Sequence, residues 1–279
     1  MDARSAALDG AAVFRFDNLS QVPGVVHGIS TRSGGVSRGR CESLNVSYSV
    51  GDARENVDEN IRRLSHAIGS RPEDVVSAYQ VHGRSVTIVE SDTPTEPRPR
   101  CDVLATSSTA RTLMLRFADC TPVLLVDPER RVIAAVHAGW RGSAVRAAAA
   151  AVEALRDGFG STPGDILAGI GPAIGPCCYE VGQDVVEAFG DRPHLISAAH
   201  FASLGGSRVS ADDGRVQHGG WMLDLWEANR LALVEAGVPN ENIEMAGVCT
   251  QCEAERFFSH RANGGQPAGR FAALIRLEG

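Results

Sequence analysis

Ala118-Asp119-Cys120-Thr121-Pro122-Val123-Leu124-Leu125 and Ala134-Ala135-Val136-His137-Ala138-Gly139-Trp140-Arg141-Gly142 decide how this chain is read. Both are short apolar runs carrying a reactive side chain: a cysteine opens the first, a histidine closes the second. Apolar runs of this length, bounded by turn formers, are buried strands. Asp127-Pro128-Glu129-Arg130 between them reads as a tight hairpin, which returns His137 towards Cys120. Upstream, Tyr79-Gln80-Val81-His82-Gly83 reads as a strand ending on a second histidine. One cysteine and two histidines, with no evident fourth ligand, form the donor set of an open zinc site, and open sites do chemistry. Without a metal, the same residues make a Cys–His catalyst.

Working outward, further strands are expected at Val25–Thr31, Val76–Val81, Val86–Glu90, Thr112–Phe117, Val123–Val126, Val132–Val136, Ile166–Ile170, Ile243–Ala246 and Phe271–Arg276. Helices are expected at Ala53–Ile68, Ser143–Gly158, Gln183–Phe189 and Asp224–Ala236. Gly237 and Pro239 stop the last, and the alanines from Ala147 to Ala151 favour helix packed closely on a sheet. Hairpins mixed with helices predict an α/β protein of mixed α+β type: mixed β-sheets flanked by helices rather than a parallel βαβ array. The proline-rich stretch from Asp92 to Arg100 reads as a loop within one domain spanning 1–279, because strands on both sides carry candidate ligands. Gly205-Gly206 and Gly264-Gly265 mark two more loops.

Composition narrows the function. Of 279 residues, 43% are hydrophobic, enough for a substantial core. A net charge of -7 with no basic run argues against nucleic acid as a partner. No window is long and apolar enough to span a membrane, and Met1-Asp2-Ala3-Arg4-Ser5 lacks the apolar core of a signal peptide. A cytoplasmic protein is therefore expected, and its 7 cysteines read as thiols or metal ligands.

Three other features bear on chemistry. Cys249-Thr250-Gln251-Cys252 has the spacing of half a structural metal site, but the adjacent Cys177-Cys178 is poor spacing for the other half. Ordinary thiols beside the site are the expectation. The Gly/Pro-rich run from Gly169 to Pro176 lacks the lysine of a phosphate-binding P-loop, so it reads equally as a rigid turn aiming Cys178, Tyr179 and Glu180. Arg32, Arg141 and Arg261 stand beside small residues. A guanidinium grips phosphate with two parallel bonds, and Arg141, just after His137, is the favoured anion contact.

The motifs Ser30-Thr31-Arg32-Ser33-Gly34-Gly35-Val36-Ser37, Ser43-Leu44-Asn45, Gln80-Val81-His82-Gly83, Ala118–Val123, His137–Gly142, Gly171–Gly175, Cys249-Thr250 and Phe257-Phe258-Ser259 resemble, in order, the YfiH-like family. This family is also called the laccase-domain or polyphenol-oxidase family. The resemblance runs from about Val25 to Leu277. It implies a fold like the catalytic domain of a bacterial cytotoxic necrotizing factor, a Cys–His deamidase. It implies zinc on His82, Cys120 and His137, and zinc-dependent purine nucleoside phosphorylase activity. Adenosine, inosine or methylthioadenosine plus phosphate would give the base and ribose 1-phosphate, with adenosine deaminase as a side activity. Cys120, His137, Asp119 and Arg141 are the implied catalytic residues. Arg32, Asn45, Gln80, Cys249 and Arg261 are the implied substrate contacts. The partners are then a small purine nucleoside and phosphate, and the chain is a monomer or weak homo-oligomer. His260 stands where tyrosine is common in the family, and Cys252 looks like an addition.

Two other enzymes fit parts of this pattern. One is a Cys–His amidase or hydrolase acting in peptidoglycan precursor editing, with Cys120 as nucleophile and His137 as base. The other is a copper polyphenol oxidase, with Cu2+ as the alternative ion. A multicopper centre consumes many histidines, whereas this chain has 8, and His66, His194 and His200 sit in surface-like contexts. A regulatory module that merely keeps the metal fold is the non-enzymatic alternative.

Overall fold

The computed structural model describes residues 5–8, 11–198, 208–209, 216–217 and 220–279. The expected loop at Gly205-Gly206, and His200, lie outside the described residues. In chain order the strands are β1 (Ser5–Leu8), β2 (Ala11–Phe14), β3 (Val25–Ser30), β4 (Val75–Ser77), β5 (Val86–Ile88), β6 (Val103–Thr106), β7 (Thr112–Phe117), β8 (Thr121–Asp127) and β9 (Val132–Ala138). After these come β10 (Leu167–Ile170), β11 (Glu180–Val181), β12 (Ile196–Ala198), β13 (Arg208–Val209), β14 (Val216–Gln217), β15 (Trp221–Leu223), β16 (Ile243–Met245) and β17 (Phe271–Leu277). The helices are α1 (Asp17–Ser20), α2 (Arg54–Ala67), α3 (Trp140–Ala144), α4 (Ala147–Phe159), α5 (Gln183–Ala188) and α6 (Leu225–Glu235).

Two six-stranded sheets form the centre, in the orders β1-β2-β3-β17-β7-β4 and β16-β10-β8-β9-β6-β5. Each is mixed: β4 runs parallel to β7, β5 to β6 and β16 to β10, and the other pairs are antiparallel. Two-residue alternation makes them a sandwich. Leu113, Leu115, Phe117, Phe271, Ala273 and Ile275 of the first sheet meet Leu124, Val126, Ile133 and Ala135 of the second. Val123, Leu125, Val132, Ala134 and Val136 point the other way, onto α4 and α6. Met114, Ala272 and Leu274 pack under α2. The buried alanines of α4 let it lie close on its sheet, as its sequence predicts. In the β8–β9 hairpin, the Asp127 carboxylate accepts the N–H groups of Glu129 and Arg130 and so closes the turn.

Three expectations need correction. The helix expected over Ser143–Gly158 is two: α3 ends at Ala144, Arg146 takes a left-handed φ of 60°, and α4 restarts at Ala147. The strand expected over Val76–Val81 stops at Ser77, so His82 does not end a strand. It sits in a turn at φ 59°, because the N–H groups of Val81, His82 and Gly83 go to the Asp102 carboxylate rather than to a neighbouring strand. The sequence reading also passed over β6, a four-residue run just after the proline-rich loop.

Candidate active site

His137 lies on β9 and Cys120 immediately precedes β8, where Pro122 is the cross-strand partner of His137. Asp119 before it takes a φ of 84°, outside the strand conformation. A side-chain residue at such a φ costs of order 1–3 kcal/mol and persists where the surroundings impose it. The donor atoms of His82, Cys120 and His137 lie within 4.8 Å of one another. The two imidazole centroids are 4.8 Å apart. Gly139 is required beside them: a Cβ there would sit 2.8 Å from Cys120 Sγ and 3.3 Å from His82 Nδ1.

Asp102, fully buried ahead of β6, orients the group. Its Oδ1 lies 2.8 Å from His137 Nδ1, which leaves Nε2 for a cation. This is the carboxylate–histidine support that metal ligands receive. The same carboxylate accepts the N–H groups of His82 (3.0 Å) and Gly83 (2.7 Å). Burial alone would raise the Asp102 pKa, but the hydrogen bonds from His137 and Gly83 lower it below the usual carboxylate value. Burial also pushes the Cys120 thiol up, yet the charge and hydrogen bond of His137 override this and bring it down to about 6. In return, despite burial, Cys120 and Asp102 raise His137 to about 9. Cys120 and His137 thus favour an ion pair, the protonic equivalent of a thiolate on a cation. The donor set, its spacing and the buried carboxylate behind it all fit one bound metal ion.

Two cavities meet at this point. The larger, about 520 Å³, is lined by residues including Tyr48, Tyr79, Gln80, Arg98, Arg116 and His260, and reaches His82, Cys120 and His137. Arg270 also lines it. The smaller, about 110 Å³, is bounded by Asp119, Trp140, Arg141, Ile174, Tyr179 and Leu225, and shares His82 and Cys120. A further hollow of about 610 Å³, lined by Asp17, Asn18, Glu241 and Glu244 among others, has no Cys, His or Arg in its lining. Arg116 bonds Val46 O and Ser77 Oγ. Burial and the neighbouring Arg98 bring it down to about 10, so it stays cationic at neutral pH. Arg141 lies 4.1 Å above the Trp140 ring, and no acidic side chain pairs with it among the described residues. Burial pushes the Tyr179 hydroxyl well up, so it is a neutral donor at the small cavity.

The expected substrate contacts divide. Gln80 lines the large cavity, but its amide pairs with the backbone N–H and C=O of Arg116 and so anchors the segment leading to His82. Asn45 is fully buried and bonds Ser47, Asp52 and the Arg270 N–H, holding the loop behind the cavity. Arg32 spends its guanidinium on the carbonyls of Glu42 and Ala254 and stacks on Phe258. Arg261 stacks 5.2 Å from Tyr179 and bonds Glu180 O, while its N–H meets Asp119 Oδ2. Asp119 Oδ1 accepts the Thr250 hydroxyl, so both its oxygens bind neighbouring loops. The Gly171–Gly175 turn spends its N–H groups on Pro122 O, Val248 O, Asp119 O and Cys249 Sγ. That makes it a rigid turn and not a phosphate cradle. Cys249 joins Cys177, Cys178 and Cys252 in a second cluster, which the adjacent spacing of Cys177 and Cys178 had argued against.

Asp102, Arg98, Arg116 and Arg270 were not singled out from sequence. A signal existed for two of them: Asp102 heads an apolar run, and Arg116 interrupts Leu113-Met114-Leu115 and Phe117.

Relatives place the chain. A family model described as multi-copper polyphenol oxidoreductase laccase matches residues 26–278. A purine nucleoside phosphorylase YlmD from Geobacillus stearothermophilus is 39% identical, over 90% of both chains. The purine nucleoside phosphorylase YfiH of Escherichia coli K12 is 36% identical, over 92% of this chain and 96% of its own. Among solved structures, a hypothetical protein YfiH from Bacillus licheniformis superposes with a TM-score of 0.85 at 30% identity, covering 99% of this chain and 100% of its own. The crystal structure of YlmD from Geobacillus stearothermophilus superposes with a TM-score of 0.82 at 35% identity, covering 100% and 98%. Shared sequence over nearly the full length, and a shared fold, make this chain a member of the laccase-type, YfiH-like family.

Proposed function

We propose that residues 1–279 form one zinc-dependent purine nucleoside phosphorylase domain. Adenosine, inosine or methylthioadenosine reacts with phosphate to give the free base and ribose 1-phosphate. The observation that carries this reading is the His82–Cys120–His137 donor set on the wall of a large cavity, with His82 and Cys120 also lining a small one. The names of the relatives agree with it. A cavity of about 520 Å³ is nucleoside-sized, since small-molecule sites span roughly 300–1,000 Å³. Tyr48 and Tyr79 are the tyrosines that line it. The 110 Å³ pocket suits a small anion, with Arg141, which no acidic side chain pairs among the described residues, as its grip.

In phosphorolysis, a phosphate oxygen bonds to C1′ as the bond from C1′ to the purine nitrogen breaks. The electron pair leaves with the purine, which then takes a proton. Arg141 and Tyr179 hold the phosphate on one side of the donor set. His260, an imidazole on the wall of the large cavity, is placed to give the proton. Asp119 accepts hydrogen bonds on both oxygens, so its role is to hold Thr250 and Arg261 at the pocket edge. His82, Cys120 and His137 would hold zinc, whose Lewis acidity would supply the activated water that an adenosine deaminase side activity needs.

Loss of Arg141 tests the phosphate site. Charged hydrogen bonds are worth about 1.5–3 kcal/mol, so Arg141→Ala raises the KM for phosphate roughly 10- to 100-fold and leaves that for adenosine nearly unchanged. Equal changes in both would overturn Arg141 as the phosphate contact.

One observation favours a second reading. Cys120, His137 and Asp102 also have the order of nucleophile, base and orienting acid. The amidase alternative requires an active metal-free enzyme killed by thiol alkylation. A blue-copper centre shares the His2Cys set but adds a weak axial Met or Gln. Gln80 lines this cavity, and its amide oxygen is already taken by the Arg116 N–H.

A further inference from the structure

The structure brings together four cysteines that no step of the proposed reaction uses. Cys177 and Cys178 lie in the turn after Gly175, and Cys249 and Cys252 begin the loop after β16. Their sulfur atoms all lie within 4.8 Å of one another. Cys252 Sγ is 3.6 Å from Cys177 Sγ and 3.4 Å from Cys178 Sγ. A tetrahedral zinc with Zn–S near 2.3 Å separates its sulfurs by about 3.8 Å. The observed spacing is close to that value, and four sulfurs complete such a shell.

The backbone is arranged for thiolates as well. Gly175 N–H points at Cys249 Sγ at 3.2 Å, and the N–H groups of Gln251 and Cys252 fold back on the same sulfur. These bonds outweigh burial and lower the Cys249 pKa. Burial and the neighbouring sulfurs instead push Cys177 up to about 11 and raise Cys178 further. Cys177 and Cys252 are exposed, which gives an ion an entry path.

We infer that Cys177, Cys178, Cys249 and Cys252 form a second, all-thiolate site for a zinc-class divalent cation, separate from the His82–Cys120–His137 set. Its role is structural. Ala173 bridges Cys249, and Thr250 donates both to Ala173 O and to Asp119. Tyr179, next to Cys178, lines the small cavity. One ion therefore ties the loop that carries Ile174 and Tyr179 to the loop whose Thr250 holds Asp119, and Ile174, Tyr179 and Asp119 all line that cavity. Each coordinating thiol releases its proton to solvent on binding, and no electron is transferred.

Metal content of the Cys120→Ala protein tests this without relying on activity. Purified under reducing conditions and reconstituted with Zn2+, the wild type should hold about two ions per chain and Cys120→Ala about one. Cys177→Ser/Cys252→Ser in the Cys120→Ala background should then hold none. Cadmium-113 spectra of Cd2+-loaded Cys120→Ala should show one resonance at the low field typical of four sulfur ligands, which reads the donor set directly. A Cys120→Ala protein that binds no tight cation while its four thiols remain titratable would overturn the inference. So would a cadmium resonance typical of nitrogen or oxygen ligands, or recovery of the four cysteines as disulfides under reducing conditions.

Discussion

The Asp102 carboxylate takes four donors: the N–H groups of Val81, His82 and Gly83, and the His137 ring. It thereby fixes two of the three donor side chains at once, one through its imidazole and one through its turn. Supporting carboxylates of this kind contribute about 10- to 100-fold in metal affinity. Asp102→Asn keeps the shape but loses the charge, so the affinity of the His82–Cys120–His137 set for Zn2+ falls by that factor in chelator competition. An unchanged affinity would show that Asp102 supports only the fold. Cys120 and His137 were legible because each marks one end of an apolar strand. The left-handed turn at His82 was not, since its cause, Asp102, lies 20 residues downstream.

β3 and the start of α1 meet through a buried histidine. His27 Nε2 accepts the Phe16 N–H at 2.9 Å, and the two rings stack 5.9 Å apart. Burial, then the charge of Arg15, lowers His27 from 6.5 to about 4. The folded state therefore refuses a proton that the unfolded chain accepts below pH 6.5. The stability conferred by neutral His27 is present above that value and is lost as pH falls towards 4. At 1.36 kcal/mol per pKa unit this amounts to about 3 kcal/mol. Urea titrations between pH 7 and pH 4 should show the wild type losing that much more stability than His27→Gln; parallel curves would refute the assignment. At this scale the sequence was read best where periodicity ran long, as in α2, α6, β7 and β17. It failed where tertiary contacts override propensity. Ser143, in α3, is held by Asn229 of α6, and the chain turns at Arg146 before the alanine run resumes as helix.

The two-sheet sandwich puts β8 and β9 beside each other in the second sheet, with Phe117 of the first sheet tilted 5.5 Å from the His137 ring. Alternation forecast the buried faces and hence the layers. It did not forecast the convergence of Arg98, Arg116, Arg270 and His260 on one cavity, nor that of four cysteines from two distant loops, because both are set by long-range loop placement. No described helix is long and apolar enough to cross a membrane. The central claim is that the donor set serves a phosphate-dependent glycosyl transfer. Adenosine incubated with wild type and with Cys120→Ala, with and without phosphate, and resolved by chromatography, tests it most directly. The account predicts equimolar adenine and ribose 1-phosphate from the wild type only when phosphate is present, and none from Cys120→Ala. Adenine formation by Cys120→Ala at the wild-type rate, or no purine product from either protein, would contradict it.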